Sequence, residues 1–121
     1  MTLPFDGHHD EAIVECIRLA SLEQLGNELA RRCSAALAEA EQCKETARTS
    51  DDLVVIAEAA TMAHAAAELC GHLSSAVCSL LGAGDVAVTK QAFAEARTAS
   101  THAALAATRW SLMKKARCAH A

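Results

Sequence analysis

"DDLVVIAEAATMAHAAAELCGHLSSAVCSLLG", Asp51 to Gly82, decides the fold. It contains no proline, and Gly71 is the single glycine in its interior. Val55, Ala59, Met62, Ala66, Leu69, Leu73, Ala76 and Leu80 recur at alternating spacings of four and three. That is the period of one helix face, sustained over seven turns. Ile56, Ala63, Cys70 and Val77 widen the stripe on one side. A strand would alternate apolar and polar residues and favour Val, Ile, Thr and Tyr; no such run occurs. The helix has readable ends. Thr49, Ser50 and Asp51 are good N-cap residues just before the apolar run. Gly82 suits the C′ position, Gly84 loosens the turn, and Asp85 can cap a following helix.

These two turns divide the chain into three long stretches, 10–48, 51–82 and 85–118. Pro4 is the only proline, so nothing breaks a helix from within. In the first stretch Ile13, Ile17 and Ala20 form one stripe. Leu22, Leu25, Leu29, Cys33, Ala36, Ala40, Cys43 and Ala47 form another. The two do not share a phase, and Ser21 with Gln24 resembles a capping box at the join. The reading is a short helix over 10–20 and a long one over 22–48, with one bent helix weakened at Gly26 as the alternative. In the last stretch Val88, Ala92, Ala99, Ala103, Ala106, Trp110 and Met113 share a side. Between Ala103 and Ala107 it is apolar all round, which predicts burial on more than one face. The expected fold is all-α: an up-and-down, four-helix bundle of three long helices plus a short N-terminal one. Residues 10–118 would form one domain, with 1–9 a flexible N-terminus and 119–121 a frayed end.

Composition agrees with this class. The chain has 121 residues, enough for one domain. Alanine fills about a quarter of it, and aromatic residues only 2%. Alanine is the best helix former because it loses no side-chain entropy on ordering. It also buries little area, at about 25 cal/mol per Å² of apolar surface. Mean hydropathy is positive, +0.14. Surplus apolar surface on a small core predicts a homo-oligomer or a helical protein partner.

Net charge is −4, and the one basic cluster, Lys114 to Arg117, suits the end of a helix. Nucleic acid is therefore not an expected partner. The first residues show no secretory pattern, and no uninterrupted apolar run approaches the roughly 18 residues of a membrane span. The expectation is a cytoplasmic chain, not bound to a membrane, with reduced thiols. Its cysteines lie at 16, 33, 43, 70, 78 and 118, and no pair has C-x-x-C spacing.

Two constellations could carry chemistry. His64, Glu68 and His72 follow at intervals of four, on one side of a helix. Phased on Ala66 they fall opposite the stripe, which predicts a solvated face with an i,i+4 pair. His64 and His72 stand about 12 Å apart along the axis, so one ion cannot touch all three; a pair could chelate zinc with a ligand from a partner. Glu95 and His102 instead fall inside the apolar arc of the last helix, where polar groups need partners. Cys33, Cys70, Met62 and Met113 also phase inward, and a core lined by Cys, His and Met would suit Cu(I). Inward Cys and Met are also ordinary core. "HHDE", His8 to Glu11, could bind metal or precede a helix whose first turn favours acids, the helix start being the preferred reading, and His120 reads as solvent-exposed.

The chain has no nucleophile elbow, P-loop, dinucleotide fingerprint, H-E-x-x-H or di-iron Glu-x-x-His pair. The dense C-x-x-x-C repeats of bacterial four-helix copper-storage proteins do not occur. Neither does the His with Lys and Gly at +3 and +4 of histidine phosphotransfer domains. The functional expectation is a non-enzymatic interaction or oligomerisation module. The alternative is a soft-metal binder for copper or zinc drawing on His64, Glu68, His72, Glu95, His102, Cys33 and Cys70.

Overall fold

A computed structural model describes residues 7–119, with side chains described from residue 10. Three α-helices form an up-and-down bundle: α1 Gly7–Thr49, α2 Leu53–Leu81 and α3 Val86–Ala119. A short 3-10 turn, Gly82–Gly84, joins the last two. No strand occurs among the described residues.

Both predicted turns are present, and their chemistry is local. Asp52 is the N-cap of α2, one residue past the expected trio. Its Oδ1 accepts from the backbone N–H of Val54 at 2.9 Å and of Val55 at 3.4 Å. Ser50 Oγ accepts from the Asp52 N–H at 3.1 Å, which tightens the corner. Gly82 sits at φ +46°, a region that L side chains rarely adopt, so glycine is required there. Asp85 Oδ1 accepts from Val88 N–H at 3.2 Å and starts α3.

The separate N-terminal helix is not there. α1 runs unbroken through Ser21, so the bundle has three helices and not four. No proline interrupts it, and the change of stripe phase near residue 21 has another cause. Residues 10–21 are all exposed. Residues 10–19 of α1 form an arm about 15 Å long with Ile13 and Ile17 exposed, and Leu19 at its root borders a groove with Leu80, Leu81 and Asp85. Gly26 is not a hinge. It is a notch that admits Leu81: an added Cβ would lie 2.6 Å from Leu81 Cγ. The expected flexible segment at residues 1–9 lies outside the described residues as far as residue 6; residues 7–9 open α1. Ala119 closes α3, and His120 and Ala121 lie outside the described residues. The side chains of His8 and His9 lie outside them too.

Small side chains fill the core. Cys33, Ala36, Ala40, Cys43 and Ala47 of α1 meet Ile56, Ala59, Ala63, Ala66, Ala67, Cys70, Ser74, Val77 and Leu81 of α2. α3 adds Ala92, Glu95, Ala99, Ala103 and Ala106, with Trp110 and Met113 half-buried against it. The phase of α2 differs from the sequence reading. Its buried arc centres on Ile56, Ala63, Cys70 and Val77, while Val55, Met62 and Leu69 are exposed. α2 packs on two neighbours at once, and the close three-way contact accepts the smaller side of its apolar face. Met62, expected inward, therefore lies outside. In α3, Ala104, Leu105 and Ala107 are exposed, so the all-apolar segment is buried on one face only.

α2, taken as Leu53–Gly84, is also long and apolar enough to cross a membrane by length and composition. Its apolarity comes largely from alanine. It carries Glu58, His64, Glu68 and His72, and it is the helix on which both others pack. That is how the central helix of a bundle reads.

A clasp from α3 closes one end of the bundle. Arg109 Nε donates to the carbonyl of Ala47 at 3.2 Å, and its NH2 group donates to that of Ser50 at 3.0 Å. These carbonyls at the end of α1 lack helical partners. The guanidinium supplies donors with a charge that complements the negative end of the helix dipole.

Candidate functional site

The α1–α2 seam holds the closest approach of reactive side chains. Ala36, Ala40 and Ala47 face Ala59, Ala63 and Ala66 across it, and alanine lets helix backbones come near. Cys33 and Cys70 sit in this seam, both fully buried. Their Sγ atoms are 3.2 Å apart. The contact is reciprocal: Cys33 Sγ lies 3.5 Å from the Cys70 carbonyl oxygen, and Cys70 Sγ lies 3.4 Å from that of Cys33. Cys33 Sγ also lies 3.6 Å from the carbonyl oxygen of Ala92 on α3. Burial pushes the Cys33 thiol up to about 12, helped by Cys70 and by the Glu95 carboxylate. Burial raises Cys70 as well, with Glu95 adding and the Cys33 hydrogen bond opposing. Both are neutral thiols near neutral pH.

Glu95 comes from α3 and is buried beside this pair. It opens onto a shallow groove between α1 and α3 that Asn27, Arg31, Ser34 and Gln91 also line. His102 follows two turns further along α3 and is half-buried. Its Nδ1 is enclosed and has no hydrogen-bond partner.

His64, Glu68 and His72 occupy another side of the bundle. His64 Nε2 and Glu68 Oε1 form an i,i+4 pair at 3.1 Å, with both side chains well exposed. With His72 they make one wall of an open groove between α2 and α3. Ala60, Ala67, Gly71, Ala103 and Ala107 form its floor, and Trp110 stands at one end. An exposed i,i+4 contact of this kind contributes no more than about 0.5 kcal/mol.

The seven candidate ligands thus fall into separate places. Cys33 and Cys70 come together, and so do His64 and Glu68. Among the described residues no three His, Cys, Asp or Glu side chains converge on one point. Among the described residues the thiol pair is the soft-ligand set that comes into contact, and two sulfurs could hold a linear Cu(I) or join to each other.

Sequence reasoning placed both cysteines inward and did not pair them. A signal was present. Cys33 stands 16 residues before the end of α1 (49 − 33) and Cys70 stands 17 after the start of α2 (70 − 53). In a helical hairpin, residues equidistant from the turn face each other. The Arg109 clasp and the Gly26 notch were also missed, since each depends on a residue far away in sequence.

The fold defines the class: an antiparallel three-helix bundle with an alanine–cysteine core and a projecting first helix. Compared with known proteins, the chain matches no family model, no curated protein and no solved structure.

Proposed function

We propose that the chain is a non-catalytic helical interaction module that self-associates. One observation carries this reading: size is inverted between inside and outside. The fully buried side chains are mostly alanine and cysteine, whereas thirteen large apolar side chains among the described residues are exposed. A single exposed leucine is ordinary, but contiguous apolar patches are not. Here the exposed residues fall into patches. Ile13, Val14, Ile17 and Leu19 lie on the arm of α1. Val55, Met62 and Leu69 repeat at every seventh residue along α2, beside a groove that Cys43 and Thr46 of α1 also line. A seven-residue repeat is the period of a helix–helix contact. An amphipathic arm and an apolar groove on the same chain are the two halves of a helix-in-groove contact.

Sedimentation velocity over a range of concentrations tests this reading. The expected result is a dimer or larger species that Ile17→Glu and Leu69→Glu each shift towards monomer, with circular dichroism unchanged. A wild-type chain that stays monomeric at high micromolar concentration would refute it.

A further inference from the structure

We infer that Cys33 and Cys70 are a disulfide-forming pair, a covalent modification site that staples α1 to α2 inside the core. This inference rests on the thiol pair and not on self-association.

The geometry is already close. A disulfide needs Cα atoms about 4.4–6.8 Å apart and Cβ atoms about 3.5–4.5 Å apart. The alanine seam brings the two backbones near enough that each sulfur reaches the other residue's carbonyl oxygen. With the sulfurs at 3.2 Å, bond formation requires a further approach of about 1.1 Å, shared between two side chains. A linear Cu(I) between them would instead require the sulfurs to part. Closing the bond also removes both S–H groups, so no buried donor is left without an acceptor. The other cysteines differ. Cys43 is buried away from any sulfur contact, Cys78 is half-buried, and Cys16 and Cys118 are exposed.

The reaction needs an oxidant, and a low-molecular-weight disulfide such as oxidised glutathione serves. One cysteine thiolate attacks it, forms a mixed disulfide and releases one glutathione. The second cysteine attacks the mixed disulfide and releases another. Two electrons pass from the protein to glutathione, and the two thiol protons end on the released glutathione thiols. Glutathione cannot reach sulfurs at zero exposure. The first exchange therefore takes place when α1 and α2 are apart, as they are during folding, and the closed bundle then favours the bonded state.

The test starts with a C16S/C78S/C118S background, which removes the accessible sulfurs. The chain is unfolded and refolded in a glutathione redox buffer, quenched by alkylation, and analysed by intact mass and peptide mapping. The expected product has lost two hydrogens, maps to a Cys33–Cys70 link, and reverts with dithiothreitol once the chain is unfolded in denaturant. Its thermal midpoint should rise by roughly 10–15 °C over the reduced form, from the loop closed between positions 33 and 70. Cys33→Ala and Cys70→Ala should each abolish the link, while Cys43→Ala should leave it. A product that links Cys43 instead, or one that stays reduced or as mixed disulfides in a buffer that oxidises ordinary protein disulfides, would overturn the inference.

Discussion

Gly26 and Gly71 are both glycines inside helices, and the structure predicts opposite effects for the same substitution. Glycine in a helix interior costs about 1 kcal/mol relative to alanine. At Gly71 an added Cβ meets nothing within 4 Å. Gly71→Ala should therefore raise stability by about 0.5–1 kcal/mol. At Gly26 the added Cβ lies 2.6 Å from Leu81 Cγ, 2.7 Å from Cδ2 and 3.1 Å from Cδ1. Leu81 is buried at the last turn of α2, immediately before the constrained Gly82. Its branch carbon cannot move aside without shifting the whole side chain. Overpacking of this kind costs about 1–3 kcal/mol, which outweighs the propensity gain. Gly26→Ala should lower stability by about 1 kcal/mol. The mechanism can be isolated in a Leu81→Ala background, itself destabilised by about 2–3 kcal/mol. There the obstruction is gone, and Gly26→Ala should become stabilising. Urea denaturation followed by far-ultraviolet circular dichroism gives all four free energies and the coupling between the two sites. If Gly26→Ala stabilises the wild-type chain as much as Gly71→Ala does, the notch does not exist.

Other consequences can be checked in the same way. Arg109→Ala should cost about 2 kcal/mol, because it leaves the carbonyls of Ala47 and Ser50 without their charged donor; the loss should appear first as faster amide exchange around residues 47–56. Stability should fall in alkali. An unfolded cysteine thiol ionises near 9.0, whereas Cys33 holds its proton to about 12. The unfolded state therefore binds fewer protons across that window. The Cys33 contribution is fully present below pH 9 and declines by about 1.4 kcal/mol per pH unit above it. Urea melts across the window should show the decline, and Cys33→Ala should flatten it. Glu68→Gln should change stability by no more than about 0.5 kcal/mol, since its partner His64 is exposed; a larger loss in a thermal melt would mean that the α2–α3 groove is structurally important. At low pH, Glu15, Glu28 and Glu45 should matter together. A hydrogen-bonded Arg at i+3 holds each carboxyl below its usual range, so their contribution is present above that range and lost as pH falls through the lowered values. An acid titration of helicity, compared with a Glu→Gln triple variant, would detect it.

Much of the fold is written in local chemistry. Asp52, Gly82 and Asp85 act on their own neighbours, so the turns can be read from the chain alone. Of the stripe that begins at Leu22, Cys33, Ala36, Ala40, Cys43 and Ala47 are buried as read because α1 buries one narrow face there, whereas Leu25 is exposed and Gly26 takes the buried position. α2 is harder. Both sides of its apolar face are hydrophobic, and hydrophobicity does not rank alanine against leucine when the constraint is distance between backbones. Packing in the seam chose Ala63 and Cys70 and turned Met62 and Leu69 outward. The arm of α1 was misread for a related reason. A change of stripe phase signals a change of partner, and a helix that outruns its bundle produces that signal without breaking. For the site, helical phase placed Glu95 and Cys70 in the interior. It could not show that Cys33 and Cys70 touch, or that His102 stands apart from both, because those facts depend on how the helices are set against each other lengthwise.

That lengthwise setting has a consequence of its own. A seam made of alanine repeated at spacings of three and four is nearly identical to itself after a shift of one heptad. Sliding the seam by one heptad would exchange Ala66 for Ala59, another buried alanine, so bulk burial barely distinguishes the native register from a slipped one. The distinction falls to a few singular contacts: Leu81 seated in the notch at Gly26, the thiols at the middle of the hairpin, and the Arg109 clasp at the far end. These are spread along the length of α1 like pins in a sliding rule. Removing one leaves a bundle that still closes; removing several leaves helices free to close at the wrong mark.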